Sequence, residues 1–148
     1  MCNSNTKQYE KKYNFLSDCD QITDNIFLGS EDAAMNEEVL KKFNITAICT
    51  CGEELATPFI KDEKIKYLKY DIVDWVEQNI EQYFDSHYEW MEKMLEEGRN
   101  ILIHCAHGMS RSPSFTIAYL MRKNNLTYKK AYKYVDEKRS IYPNYCFQ

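Results

Sequence analysis

The chain has 148 residues, of which 44% are apolar and 14% aromatic, a size and composition suited to one compact domain with a real core. Lys and Arg number 19 against 23 Asp and Glu, giving a formal net charge of −4, and no basic run occurs, which argues against a surface built to grip nucleic acid or an anionic membrane. The first 20 residues are polar and no apolar run approaches the roughly 18 residues of a membrane span, so a cytosolic or nuclear chain is expected, and Cys2, Cys19, Cys49, Cys51, Cys105 and Cys146 are read as thiols rather than disulfides.

Residues 1–20 lack periodicity and read as a flexible arm, which places the folded domain at 21–148. Ile22, Ile26, Phe27 and Leu28 give residues 21–28 the pattern of a short edge strand. Ser30 is expected to cap a helix ending near Asn44, with Glu31 and Asp32 at its positive end and a stripe of Ala33, Ala34, Val39, Leu40 and Phe43. Residues 45–50 and 65–70 are β-prone and flank a polar segment containing Pro58. Between residues 79 and 97, Ile80, Tyr83, Phe84, Trp90, Met91, Met94 and Leu95 recur at helical spacing, with Gly98 where a C-terminal cap belongs.

Residues 100–105 form a continuous apolar run, the mark of a strand covered on both faces. Ser112 and Pro113 open a helix to about Asn124, and Thr127 caps a last one to about Arg139. Strands alternate with helices, which predicts an α/β fold with a mainly parallel sheet and a binding site at the carboxyl ends of its strands. Cys105 ends a strand there.

The chemistry concentrates in His104-Cys105-Ala106-His107-Gly108-Met109-Ser110-Arg111-Ser112. A compact loop of Ala106, His107, Gly108, Met109 and Ser110 turns successive N–H groups inward as an anion nest, and the following helix adds its own free N–H groups and positive dipole end. Gly108 permits the turn, and the planar guanidinium of Arg111 matches two phosphoryl oxygens. The same electropositive bowl favours the thiolate of Cys105. A phosphate monoester seated over that sulfur would be attacked in line, giving a cysteinyl phosphate that water hydrolyses without a metal or other cofactor. Ser112 is expected to donate a hydrogen bond to the sulfur and make it a better leaving group. A buried core cysteine and a surface arginine would explain two of these residues singly, but not the set.

The segment resembles the signature of the dual-specificity branch of the cysteine-dependent protein phosphatases: His-Cys, five residues, then Arg-Ser or Arg-Thr. The likeness extends to Ala118-Tyr119-Leu120-Met121, to Pro143-Asn144 and Phe147, and to residues 25–30, so it covers nearly the whole domain. It implies a three-layer α/β/α architecture with four to five strands and phosphorylated proteins as substrates. Relatives continue into a final helix, whereas this sequence ends at Gln148, which implies a shortened C-terminal element.

A leaving alkoxide or phenoxide needs a proton from a carboxylic acid on another loop. Asp71 and Asp74 both follow the 65–70 strand, and the resemblance selects Asp74. His104 orients the loop or is a core histidine; His107 stands at the rim; Asn144 braces the loop or forms a Pro-Asn turn. Cys49 and Cys51 close a strand on the edge that carries Cys105, and Cys51 is the preferred partner for a reversible disulfide, against two ordinary small residues at a strand end. The short chain lacks room for the loops that deepen tyrosine-specific pockets, so phosphotyrosine, phosphoserine and phosphothreonine are all expected to reach the sulfur. Phosphoinositide phosphatases tend to carry lysines where Ala106, His107 and Met109 stand, RNA 5′-triphosphatases a basic surface; a non-catalytic phosphoprotein-binding module would not need Cys105.

Overall fold

The computed structural model describes residues 18–73 and 79–143. Strands β1 (Cys19–Gln21), β2 (Ile26–Gly29), β3 (Ile45–Cys51), β4 (Lys66–Tyr70) and β5 (Asn100–His104) form one sheet in the order β1-β2-β5-β3-β4. Only β1 runs antiparallel, at the edge; the other pairs are parallel. The helices are α1 (Glu31–Ala34), α2 (Glu37–Lys42), α3 (Phe84–Glu96), α4 (Arg111–Asn124) and α5 (Tyr128–Lys138).

Alternation of side chains divides the sheet into two dry faces. Ile26, Leu28, Ala47, Cys49, Ile101 and Ile103 pack toward Met91, Met94, Phe115 and Val135 of α3, α4 and α5. Phe27, Ile48 and Leu102 pack toward Ala33, Ala34, Val39 and Leu40 of α1 and α2. The result is the expected three-layer α/β/α arrangement. β5, whose Ile101, Leu102 and Ile103 are fully buried, lies at its centre, which explains its unbroken apolar run.

Four local expectations are corrected. The 21–28 segment is two strands, because Thr23 accepts hydrogen bonds from the N–H groups of Asn25 (3.3 Å) and Ile26 (3.1 Å) and so builds a turn between them. Its second half is an inner strand beside β5. β1 begins at Cys19, inside the stretch assigned to the arm; residues 1–17 lie outside the described residues. The 31–43 segment is two helices, since Asn36 interrupts it and caps the second by accepting from Glu38 (3.0 Å) and Val39 (3.4 Å), whereas the Ser30 side chain makes no cap bond. Finally, α3 starts at Phe84 after a single 3₁₀ turn at Glu81–Tyr83.

The end of α3 follows the reading. Gly98 has φ +74°, its N–H bonds to Leu95 (3.0 Å) and that of Arg99 bonds to Met94 (3.1 Å), the paired bonds that close a helix on a left-handed residue. Thr127 caps α5 through Lys130 N (3.3 Å). Among the described residues no helix is long and apolar enough to cross a membrane.

Phe115 locks α4 to the sheet. Its ring stacks on Tyr70 at 4.5 Å and meets Phe84 edge-on at 5.8 Å, and it is fully buried. Replacing Phe115 with Ala removes these contacts and is expected to cost about 3–5 kcal/mol, read as a lower midpoint in urea denaturation.

Candidate active site

The register of the sheet brings its functional strands to a common edge. Gly29 of β2 and Thr50 of β3 both lie opposite His104, the last residue of β5, and Cys51 lies opposite Tyr70, the last of β4. Cys105 therefore leaves the centre of the sheet at the carboxyl ends of its parallel strands, with α4 beginning six residues later at Arg111.

The loop between them is held from outside by its carbonyls. The carbonyl of Cys105 accepts from His104 Nδ1 (3.3 Å), that of Ala106 from Glu31 N (3.1 Å), that of His107 from Arg139 Nη2 (2.7 Å) and that of Gly108 from Arg139 Nε (2.9 Å). The Met109 carbonyl accepts from Tyr142 N (2.6 Å), and that of Ser110 from both Ser114 N (3.2 Å) and Ser114 Oγ (2.8 Å). In a trans peptide the N–H points opposite to the C=O, so carbonyls tied outward leave N–H groups turned inward, as an anion nest requires.

Gly108 makes the tight turn possible. It sits at φ +68°, and an added Cβ would lie 2.5 Å from the Gly29 carbonyl oxygen and 2.6 Å from Arg139 Nη2, distances no side chain tolerates.

Cys105 lies buried at the floor of the loop. Its Sγ is 3.2 Å from the donating Gly108 N–H and 3.1 Å from Ser112 Oγ. Both are placed to stabilise negative charge on sulfur. Arg111, the first residue of α4, is also buried; its Nη2 and Nη1 meet Glu54 Oε1 and Oε2 at 2.5 and 2.9 Å. Hydrogen bonding to Arg111 holds the Glu54 carboxyl below the usual carboxylate range. Gly52 leaves the room, since a Cβ there would lie 2.6 Å from Arg111 Nη1. A forked pair of this kind fixes the plane of the guanidinium.

Comparison with known proteins agrees with this geometry. The family model for the dual specificity phosphatase catalytic domain matches residues 26–148. Over 128 residues the chain is 36% identical to dual specificity protein phosphatase 1B of Arabidopsis thaliana, covering 86% of this chain and 75% of that protein. The chain belongs to the dual-specificity phosphatase family. Dual specificity protein phosphatase 1 of the same plant is 35% identical over 120 residues, 81% of this chain but only 60% of that relative's length. A crystal structure of human tyrosine phosphatase-like serine/threonine/tyrosine-interacting protein superposes with a TM-score of 0.83 at 33% identity, covering 88% of this chain and 91% of that one.

Within this phosphatase domain, His104 is a buried link between strand and loop. Its Nδ1 faces the Cys105 carbonyl, an acceptor only, so Nδ1 carries the proton and Nε2 accepts from Thr50 Oγ1 at 2.8 Å. Burial, with a smaller contribution from Arg111, pushes its pKa down to about 4, and the imidazole is neutral. His107 and Met109 are exposed on the loop. Asp74 and Asn144 lie outside the described residues, while Asp71 is exposed beside Lys69 at 3.5 Å.

Cys49 and Cys51 are fully buried with their sulfurs 3.8 Å apart, in the cluster that also contains Cys105. Burial raises the Cys51 thiol well above its ordinary value, and neighbouring Cys49 and Cys105 add to the effect. Glu54, Arg139 and Thr50 were not singled out from the sequence. No local signal marks them, because each acts through a partner distant in the chain.

The neutral state of His104 carries a pH signature. The unfolded chain takes up a proton near the ordinary value of 6.5 and the folded one only near 4, so stability is full above about pH 6.5 and is lost as pH falls toward 4. The loss attributable to this residue is up to about 3 kcal/mol. Chemical denaturation across this window should show it, and His104→Gln should flatten the slope.

Proposed function

We propose that this phosphatase domain hydrolyses phosphotyrosine, phosphoserine and phosphothreonine in proteins through a cysteinyl-phosphate intermediate. The observation that supports the reading is the sulfur of Cys105 at the floor of a loop whose carbonyls are all tied outward, with Ser112 and the Gly108 N–H on the sulfur. The inward N–H groups and Arg111 take the equatorial phosphoryl oxygens. The thiolate attacks phosphorus as the P–O bond to the leaving group breaks, and Asp74 gives the leaving oxygen its proton. Water then attacks the cysteinyl phosphate, losing a proton to Asp74 and releasing phosphate, while Ser112 stabilises the departing sulfur. The bracing of the loop is assigned to Asn144. Such a protein acts in the cytosol or nucleus on phosphoprotein partners.

The test is hydrolysis of a chromogenic aryl phosphate with a chelator present, followed by phosphotyrosine and phosphothreonine peptides. The expected result is activity that survives chelation, has a bell-shaped pH profile, disappears in Cys105→Ser and extends to both peptides. A well-folded wild type that binds inorganic phosphate without turnover would instead identify a phosphoprotein-binding module.

The same reading extends to oxidation. Peroxide converts the Cys105 thiolate to a sulfenic acid with release of hydroxide; attack by the Cys51 sulfur expels the sulfenic oxygen as water, and a dithiol reduces the disulfide. Peptide mapping after mild peroxide should recover the Cys51–Cys105 pair, and recovery of over-oxidised Cys105 alone counts against it.

A further inference from the structure

Arg139, the residue that closes α5, is 8% exposed. All five of its N–H donors are engaged. Two point at the loop, to the carbonyls of His107 (2.7 Å) and Gly108 (2.9 Å). The other three meet acids at the start of the sheet: Asp18 at 2.6 and 3.1 Å, and Asp20 at 3.2 Å.

One peptide unit joins this arrangement to the nucleophile. The peptide between His107 and Gly108 offers its C=O to Arg139 and its N–H to Cys105 Sγ, at 2.7 and 3.2 Å. A cation on the carbonyl side polarises the amide and strengthens the N–H as a donor to negative sulfur. The same bonds hold Gly108 at φ +68° against Gly29. A lysine at this position has one compact ammonium and could not span two carbonyls and two carboxylates in fixed geometry. Asp18 and Asp20 in turn allow the buried cation, since a buried charge without its partners is strongly destabilising.

We propose that Arg139 is a positioning residue for the phosphatase reaction: by gripping the 107–108 peptide from behind, it aims the Gly108 N–H at the Cys105 sulfur and stabilises the thiolate. Asp18 and Asp20 hold it in that role. The inference rests on the phosphatase reading, and extends the reacting machinery to the end of α5 and the edge strand.

The readout is alkylation of Cys105 by iodoacetamide from pH 5 to 9, followed by peptide mass spectrometry, with Cys105→Ser as the blank. This measures the thiolate without requiring turnover. The ionisable groups facing the sulfur from neighbouring elements, Cys51 of β3 and Arg111 of α4, are unchanged throughout, as is Cys19 beside Arg139. Arg139→Met should slow alkylation at pH 6 about tenfold, the size expected for a weakened hydrogen bond to a charged group, with the difference narrowing toward pH 9. Arg139→Lys should fall between wild type and Arg139→Met. Asp18→Asn, which keeps an oxygen acceptor, should shift the profile in the same direction by less, and inhibition by inorganic phosphate should weaken in each variant. If Arg139→Met does not fold, Arg139→Lys and Asp18→Asn decide. Folded variants with an unmoved alkylation profile and unchanged phosphate inhibition would overturn the inference while wild-type turnover still supported the phosphatase reading; absence of wild-type turnover would remove that reading and, with it, the positioning role assigned to Arg139.

Discussion

Each carbonyl from Cys105 to Ser110 accepts a hydrogen bond from the surrounding structure, and the geometry of the site depends on it. A free loop presents carbonyl oxygens to an anion as readily as N–H groups, and each wrongly turned peptide would exchange attraction for repulsion. Fixing the carbonyls in advance removes that choice before a ligand arrives. The donors come from the end of β5, from α1, α4, the end of α5 and the segment after it, so the bowl is shaped by the whole carboxyl edge of the domain.

The charges obey the same logic at a larger scale. An acidic chain of formal net charge −4 places cations locally at this loop and buries them with partners. Arg111 is paired with Glu54 at one side of the loop, and Arg139 with Asp18 and Asp20 at the other. Each acid offsets the desolvation of its arginine. The pairs orient their guanidinium groups as well as neutralising them, which a diffuse basic surface could not do.

The sheet supplies the rigid frame. β5 is flanked on both sides by parallel strands and on both faces by packed helices, so the residue that leaves it is anchored in every direction but one. The remaining direction leads into the loop. His104 ties that exit to β3 through Thr50, and its neutrality follows from the same burial that makes the strand rigid.

The sequence alone determined what is local in the chain. Cys105, the turning glycine Gly108, Arg111 and the helix start fall within eight residues, Cys105 to Ser112, so the chemistry they suggest is legible without knowing what surrounds them. The strands 45–50 and 100–105 and the helices α3, α4 and α5 were likewise visible, because their apolar periodicity is a short-range property. Tertiary structure decided which residues surround the loop. Arg139 lies 31 positions from Gly108 and 121 from Asp18, and Arg111 lies 57 from Glu54, separations at which no local pattern can select a partner. It also decided that the segment around Phe27 is an inner strand rather than an edge, and that Asn36 divides the helix after Ser30. Strand order is set by how both faces of the sheet are covered, and that coverage brings the ends of β1, β3 and α5 to one loop.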